Sequence, residues 1–318
     1  MTDLADGAAF DPAQGMWRVL AAAPPGLRGA VQVAAWTGSE FLVVAHAVLG
    51  NATSSGGAGA RYRPADDAWT PMAVGPIGDR YNAASVWTGA ELLVVGGHGS
   101  QSLAEPAAMA YSPTTDRWRV VDTPDFVPRR SVNLAWTGTT VLAVGLIEIC
   151  AAADVGPCGN LKPALAAFDP HTSRWSALNA DALGPPGNPD YVYGFIRSAF
   201  WTGHALVVVD RTQSIVIYQP DLGQWSAPLA TGCADTRATG FDVPEVWTPA
   251  GLLLVCRTGD LYQSSEDVTS WTKIAGAPPL EPVQRPAAQW TGHELVIWGG
   301  QLSKPFNPTS DTGALLAP

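Results

Sequence analysis

Arginine is the residue type whose placement most suggests chemistry. Of the 18 basic residues only Lys162, Lys273 and Lys304 are lysines. Arg28, Arg80, Arg129, Arg130, Arg197, Arg237 and Arg285 all lie shortly before a tryptophan that opens a Trp-Thr-Gly or Trp-Thr-Pro tripeptide, and Arg257 follows an apolar run. Polar residues share the same stretches: Asn82, Ser131, Asn133, Ser198, Asp242, Glu245 and Gln289. Convergent guanidinium groups suit a carboxylate or phosphate, which they bind through paired hydrogen bonds. The competing reading is that these arginines pair with Asp242, Glu245 and loop carbonyls and hold the fold together.

Among the five histidines, His46 and His98 end two apolar runs and are the pair that could share a site. His204 and His293 follow Trp-Thr-Gly, and His171 lies in a Pro-His-Thr turn, so these three read as solvent-exposed turn residues. A histidine or a buried carboxylate can be tuned toward neutral pH, which makes His46, His98, Asp242 and Glu245 the candidates for moving protons. Imidazole also suits copper or zinc, with Tyr81 or Glu148 as a further ligand. No His-x-His or Cys-x-x-Cys spacing supports that metal reading, so no cofactor is expected. Tyr81, Tyr191, Tyr193 and Phe195 could form the wall of a pocket for a sugar or an aromatic ligand.

These residues are positioned by a repeat. Trp-Thr-Gly recurs at Trp36, Trp87, Trp136, Trp201 and Trp290, with Trp-Thr-Pro at Trp247. A second series reads aromatic-x-Pro, a few polar residues, then Trp: Phe10…Trp17, Tyr62…Trp69, Tyr111…Trp118, Phe168…Trp175 and Tyr218…Trp225, with Tyr262…Trp271 a looser copy lacking the Pro. Of the 13 tryptophans, only Trp298 falls outside the two series. Each repeat resolves into four strands. Small and apolar residues lead into Trp as strand a, and Thr-Gly makes a tight turn. An apolar run such as Glu91–Gly97 follows as strand b. After a variable loop come strand c, a polar turn, and strand d opening on Trp. Four antiparallel strands repeated six times predict one all-β domain over 1–318, a six-bladed β-propeller. The first element, Phe10 to Leu20, is only the end of a blade, and Gly313 to Ala317 reads as a strand c. The strand at Trp17 is therefore expected to complete the C-terminal blade and close the ring.

The Gly96-Gly97 and Gly299-Gly300 pairs, the Tyr or Phe before the turn and the Trp opening strand d resemble the Kelch repeat of the galactose-oxidase-like, Kelch-type six-bladed propellers. That resemblance covers nearly the whole chain and implies the fold, while such folds serve many functions. It supplies precedents for a sialic acid mutarotase and for a copper-dependent oxidase. Ser264–Trp271 resembles the Asp-box turn of sialidase-like propellers, but it lacks the Gly and has Glu266 where Asp is expected, and it reads as a turn.

In a propeller the a–b and c–d turns share one face, and the b–c loops and d–a links share the other. The first set is short and uniform here and the second long and irregular, so a site is expected on the second face, at the channel mouth. The predicted ligand-binding residues are Arg28, Arg80, Asn82, Arg130, Asn133, Tyr191, Tyr193, Arg197, Arg257 and Arg285. The first expectation is a binding module for a protein segment or a small anionic molecule. The alternatives are an isomerase, mutarotase or lyase acting on an anionic sugar, and a copper oxidase. A net charge of −10 disfavours nucleic acid and anionic membranes as partners, and a monomer is expected. Met1–Asp6 is acidic and does not read as a signal peptide, which points to the cytoplasm, or to secretion if a signal has been removed. The four cysteines form two local pairs, Cys150 with Cys158 and Cys233 with Cys256. They are either two disulfides or four free thiols.

Overall fold

The structure is a computed structural model. It describes residues 7–24, 27, 31–45, 58–76, 80–99, 107–149, 160–184, 196–210, 214–233, 245–256, 260–274, 283–284, 287–299, 301–302 and 313–316. Its described residues are all-β apart from the short 3-10 turn Asp181–Leu183 and the 3-10 residue Leu27. The chain divides into two compact units, Met1–Trp201 and Thr202–Pro318.

The chain begins with a hairpin, β1 (Ala8–Asp11) and β2 (Met16–Val19). Blade 1 follows as β3 (Val31–Trp36), β4 (Phe41–Ala45), β5 (Ala58–Arg63) and β6 (Ala68–Pro71). Blade 2 is β7 (Arg80–Trp87), β8 (Leu92–Gly99), β9 (Ala108–Ser112) and β10 (Arg117–Val121). Blade 3 is β11 (Arg130–Trp136), β12 (Val141–Glu148), β13 (Leu161–Asp169) and β14 (Arg174–Leu178). Blade 4 is β15 (Ile196–Trp201), β16 (Leu206–Asp210), β17 (Ser214–Gln219) and β18 (Gln224–Trp225), with β19 (Leu229–Ala230) also on β17. Blade 5 is β20 (Glu245–Thr248), β21 (Gly251–Val255), β22 (Leu261–Ser264) and β23 (Trp271–Lys273). In blade 6, β25 (Ala287–Trp290), β26 (Leu295–Trp298) and β28 (Gly313–Leu316) form a sheet, while β24 (Val283–Gln284) pairs with β27 (Gln301–Leu302). Six antiparallel blades in sequence order make this the six-bladed β-propeller class that the repeat predicts. Strand c of blade 6 is where the sequence puts it, with Leu316 opposite Leu295. The strand at Trp17 pairs with β1, Phe10 facing Trp17. A pairing of that strand with blade 6 is not among those of the described residues.

Two local devices recur along the chain. In the a–b turn, Thr37, Thr88, Thr137, Thr202 and Thr291 each accept on the side-chain hydroxyl the backbone N–H three residues on. The glycine after each threonine has φ between 87° and 106°, a conformation that disfavours a Cβ. In the c–d turn the residue two before Trp is left-handed: Gly15, Asp67, Asp116, Ser173 and Gly223, with φ between 48° and 65°. That turn sets Tyr or Phe opposite Trp across the ladder, with ring centroids 4.8–5.2 Å apart in five copies.

Blades 1 and 2 add a polar clamp. The Tyr111 hydroxyl donates to Asp116 (2.7 Å), the Ala73 N–H donates to the same carboxylate (2.8 Å), and Trp118 Nε1 donates to the Ala73 carbonyl (2.9 Å). Ala73 follows β6, so this set joins blade 2 to blade 1. The same set recurs one repeat earlier, with Tyr62, Asp67, Ala21 and Trp69. Behind the clamp of blade 2, Val33, Leu42, Val44 and Met72 pack against Leu92, Val94, Met109 and Tyr111. Blade 3 has Phe168 and Ser173 in place of the tyrosine and aspartate, and the buried Trp175 Nε1 has no hydrogen-bond partner. The junction of blades 2 and 3 is an apolar cluster that includes Val95, Val127, Val132 and Val141.

Replacing Asp116 by alanine removes two hydrogen bonds, one from a buried tyrosine, and leaves a Cβ residue without a polar side chain at φ 50°. A loss of about 2–3 kcal/mol in urea unfolding is expected, against about 1 for Tyr111→Phe. The double variant should fall short of the sum, because the two share one bond. The N–H of Ala73 and then the hydroxyl of Tyr111 hold the Asp116 carboxyl below the usual aspartate range. Its stabilisation is therefore present above the unfolded pKa, about 3.9, and is lost as pH falls through the lower folded value.

Candidate functional site

In the first unit the a strands β3, β7, β11 and β15 lie side by side, each packed against the next. Their N-terminal ends form one row, and all three of the first strands lose regularity there. β3 carries a bulge between Val31 and Val33, and β11 one between Arg130 and Asn133. In β7 the ladder skips Asn82, which is left-handed (φ 59°) opposite the left-handed Gly97. Ser131, in the β11 bulge, is left-handed as well (φ 48°). A bulge re-aims the side chains beside it. The residues at these breaks, Gln32, Asn82 and Ser131, are polar, and Arg80, Arg130 and Asn133 lie beside them in β7 and β11.

Glycines make this end possible. Gly96 N donates to the Ala107 carbonyl and Gly97 N to that of Arg129, so strand b of blade 2 bends toward the segment entering blade 3. A Cβ on Gly96 would lie 2.6 Å from Val132 Cγ2 and 2.7 Å from the Arg129 oxygen. One on Gly145, facing the β11 bulge, would lie 2.8 Å from the Arg130 oxygen.

Five of the residues expected from the sequence meet in this row: Arg80, Asn82, Arg130, Asn133 and Arg197. Their roles differ. Arg80 is 3% exposed and donates through Nη1 to the Gly96 carbonyl (2.9 Å), so it braces the strand. Arg130 forms an ion pair with Glu148 at the end of β12. That pairing engages the carboxylate expected as a metal ligand and neutralises the Arg130 charge locally. Arg129 pairs with Asp125 (3.3 Å) outside the strand. Asn82 is exposed, Asn133 Nδ2 reaches the Ser131 carbonyl (3.4 Å), and Arg197 is half-buried in β15. The described arginines are thus part of blade architecture to a greater degree than a ligand-binding ring requires.

Other expected residues lie outside the described residues: His46, Asp242, Arg28, Tyr191, Tyr193, Arg257 and Arg285. His98 and Tyr81 face each other across the β7–β8 ladder, but their side chains are outside the described set. No cluster of three metal-ligating side chains occurs among the described residues. In the second unit Glu245 opens β20 opposite Leu254. Cys233 and Cys256 are joined by a disulfide with Cα atoms 5.6 Å apart, buried against Leu254, Tyr262 and Trp271. Cys150 and Cys158 lie outside the described residues. The Ser264–Trp271 segment is a c–d turn in which Asp267 accepts from the Ser265 and Thr269 hydroxyls. Val268 there is buried and left-handed (φ 61°), a position where the Asp-box pattern has glycine.

Sequence reasoning missed the Tyr–Asp–Trp clamp. Its signal was present, an aspartate five residues after Tyr and two before Trp in blades 1 and 2, but it was read as turn composition. It also missed the Arg130–Glu148 pair, whose members are adjacent only across the β11–β12 ladder.

No protein-family model matches the sequence, and no curated protein matches it. Among solved structures, one described as the structure of YjhT is similar over 92% of this chain and 97% of its own, with a TM-score of 0.60 at 15% identity. At that identity the likeness shows the fold.

Ser131 is held left-handed without glycine's freedom. Ser131→Gly is expected to raise stability by about 1 kcal/mol in denaturant unfolding. Cys256→Ser, or reduction, opens a link across 23 residues and should lower the thermal midpoint by several degrees, with a stability loss of about 3 kcal/mol.

Proposed function

We propose that this chain is a Kelch-like binding module that takes a small anionic or polar ligand at the N-terminal ends of its a strands. The observation that carries the reading is the row of irregularities at Gln32, Asn82 and Ser131. Three neighbouring strands break their ladders at the same level and at polar residues. Backbone strain of this kind persists where the surrounding structure imposes it, and it concentrates at ligand sites. Arg197 and Asn133 stand in the same row as Asn82 and Ser131, offering a guanidinium, two amides and a hydroxyl. A protein segment is the weaker occupant. Among the described residues, the exposed large apolar side chains of the first unit are scattered, with Trp36 and Phe41 at an a–b turn, Val120 on an outer strand, and Val31, Val74 and Ile149 standing one each at the ends of different strands on the loop side. Acid–base chemistry on an anionic sugar would draw on His46, His98, Asp242 and Glu245, for which the described geometry offers no assembled arrangement.

The test is a thermal-shift panel of acidic sugars, organic acids, inorganic phosphate, Cu²⁺ and Zn²⁺ on the full chain. A ligand at about 100 times its Kd stabilises by about 2.7 kcal/mol. An anion or acidic sugar should raise the midpoint by several degrees. The shift should disappear in Asn82→Gly, which keeps the left-handed backbone and removes only the amide, and in Arg197→Ala. A shift that survives both variants, or none with any anion, overturns the reading. A shift with Cu²⁺ alone would favour the oxidase alternative.

A further inference from the structure

The segment leaving an outer strand crosses the aromatic pair of the next blade, and at two places a glycine brings it into close contact. A Cβ on Gly75, after β6, would lie 2.6 Å from Trp118 Cε2 of blade 2. One on Gly232, after β19, would lie 2.6 Å from Tyr262 Cδ1 and 3.1 Å from Trp271 Cβ of blade 5. The means of attachment differ. In blade 2 the aspartate two residues before the tryptophan accepts the Ala73 N–H, and Trp118 Nε1 donates to the Ala73 carbonyl. Blade 5 has Thr269 two residues before its tryptophan. Its left-handed residue is Val268, whose buried side chain offers no acceptor, and Asp267 is bonded within its own turn to the Ser265 and Thr269 hydroxyls. Trp271 Nε1 is buried without a hydrogen-bond partner. A covalent bond stands there instead. Cys233, next after Gly232, is joined to Cys256, next after β21. The two are 5% and 6% exposed and pack with Leu254, Tyr262 and Trp271. All of these blade 5 contacts lie within the second unit.

We propose that the joint between the segment after β19 and blade 5 is redox-dependent: the Cys233–Cys256 disulfide closes it in place of a polar clamp, and reduction to two thiols loosens it. Reduction by a small dithiol moves two electrons and two protons. The S–S bond breaks, each cysteine sulfur gains a hydrogen, and the dithiol leaves as a cyclic disulfide. The hydrogen-bonded clamps of blades 1 and 2 contain no cysteine and do not respond to that exchange. Disulfides persist in oxidising compartments and are rare where thiols are kept reduced. The joint is accordingly complete in an oxidising compartment, and the working form of the protein belongs there.

Peptide-resolved alkylation and hydrogen exchange of the full chain test this. After expression into the bacterial periplasm, Cys233 and Cys256 should resist alkylation in denaturant until dithiothreitol is added. Reduction at neutral pH should lower the protection of β20 to β23 by about tenfold or more, with β7 to β10 unchanged within about twofold. The double variant Cys233→Ser, Cys256→Ser should show the lowered protection from the outset, and dithiothreitol should change blade 5 no further. Should that variant fail to fold, the reduced unsubstituted chain carries the measurement. Free thiols at Cys233 and Cys256 in the periplasmic protein would overturn the joint. So would β20 to β23 equally protected in both redox states, or an equal loss of protection in every blade.

Discussion

The fold depends on the pairing of an aromatic ring with tryptophan across the N-terminal hairpin and the outer hairpins of blades 1 to 4. The pair needs the two side chains directly opposite each other. That requires a c–d turn of fixed length, and the turn requires one left-handed residue two positions before Trp. Where that residue is aspartate, the turn gains a further role: the carboxylate fixes the tyrosine hydroxyl and reaches the backbone of the preceding blade. A local requirement of one hairpin thereby becomes a link between blades. The tryptophan completes the link by turning its only polar atom toward the neighbour's carbonyl, leaving the rest of the indole in apolar surroundings.

Most of this was legible in the sequence because it is written in repeats. The positions of Trp36, Trp87, Trp136, Trp201, Trp247 and Trp290 placed six a strands, and Phe10 to Tyr218 placed five of the outer hairpins. The third strand of blade 6 was placed correctly from Gly313 to Ala317. The pairing of Trp17 with Phe10 follows from the same pattern, since both belong to one aromatic-x-Pro copy. The Arg130–Glu148 pair was hidden because it is set by the register of β11 on β12. That register contains a bulge, and a bulge shifts partners by one residue without leaving a mark in composition.

The candidate site was only partly legible. Counting arginines near the a strands overstated the charge open to a ligand. Arg80 and Arg130 look equivalent in sequence to Arg197, yet one braces a glycine carbonyl and the other faces a carboxylate. What a sequence does not display is backbone conformation at Asn82 and Ser131, because asparagine and serine are common in every loop. Each left-handed residue faces a glycine on the next strand, Asn82 facing Gly97 and the bulge at Ser131 facing Gly145.

Blade 3 departs from its neighbours in a way that bears on temperature. With Phe168 for tyrosine and Ser173 for aspartate, its junction with blade 2 has no polar clamp and rests on the apolar cluster around Val95, Val132 and Trp175. Apolar association weakens on cooling, whereas a hydrogen-bonded link has no such dependence. Cold therefore acts unevenly on this protein. It weakens the apolar packing at both seams, while the seam between blades 1 and 2 keeps the Tyr111–Asp116 and Trp118–Ala73 hydrogen bonds beside that packing.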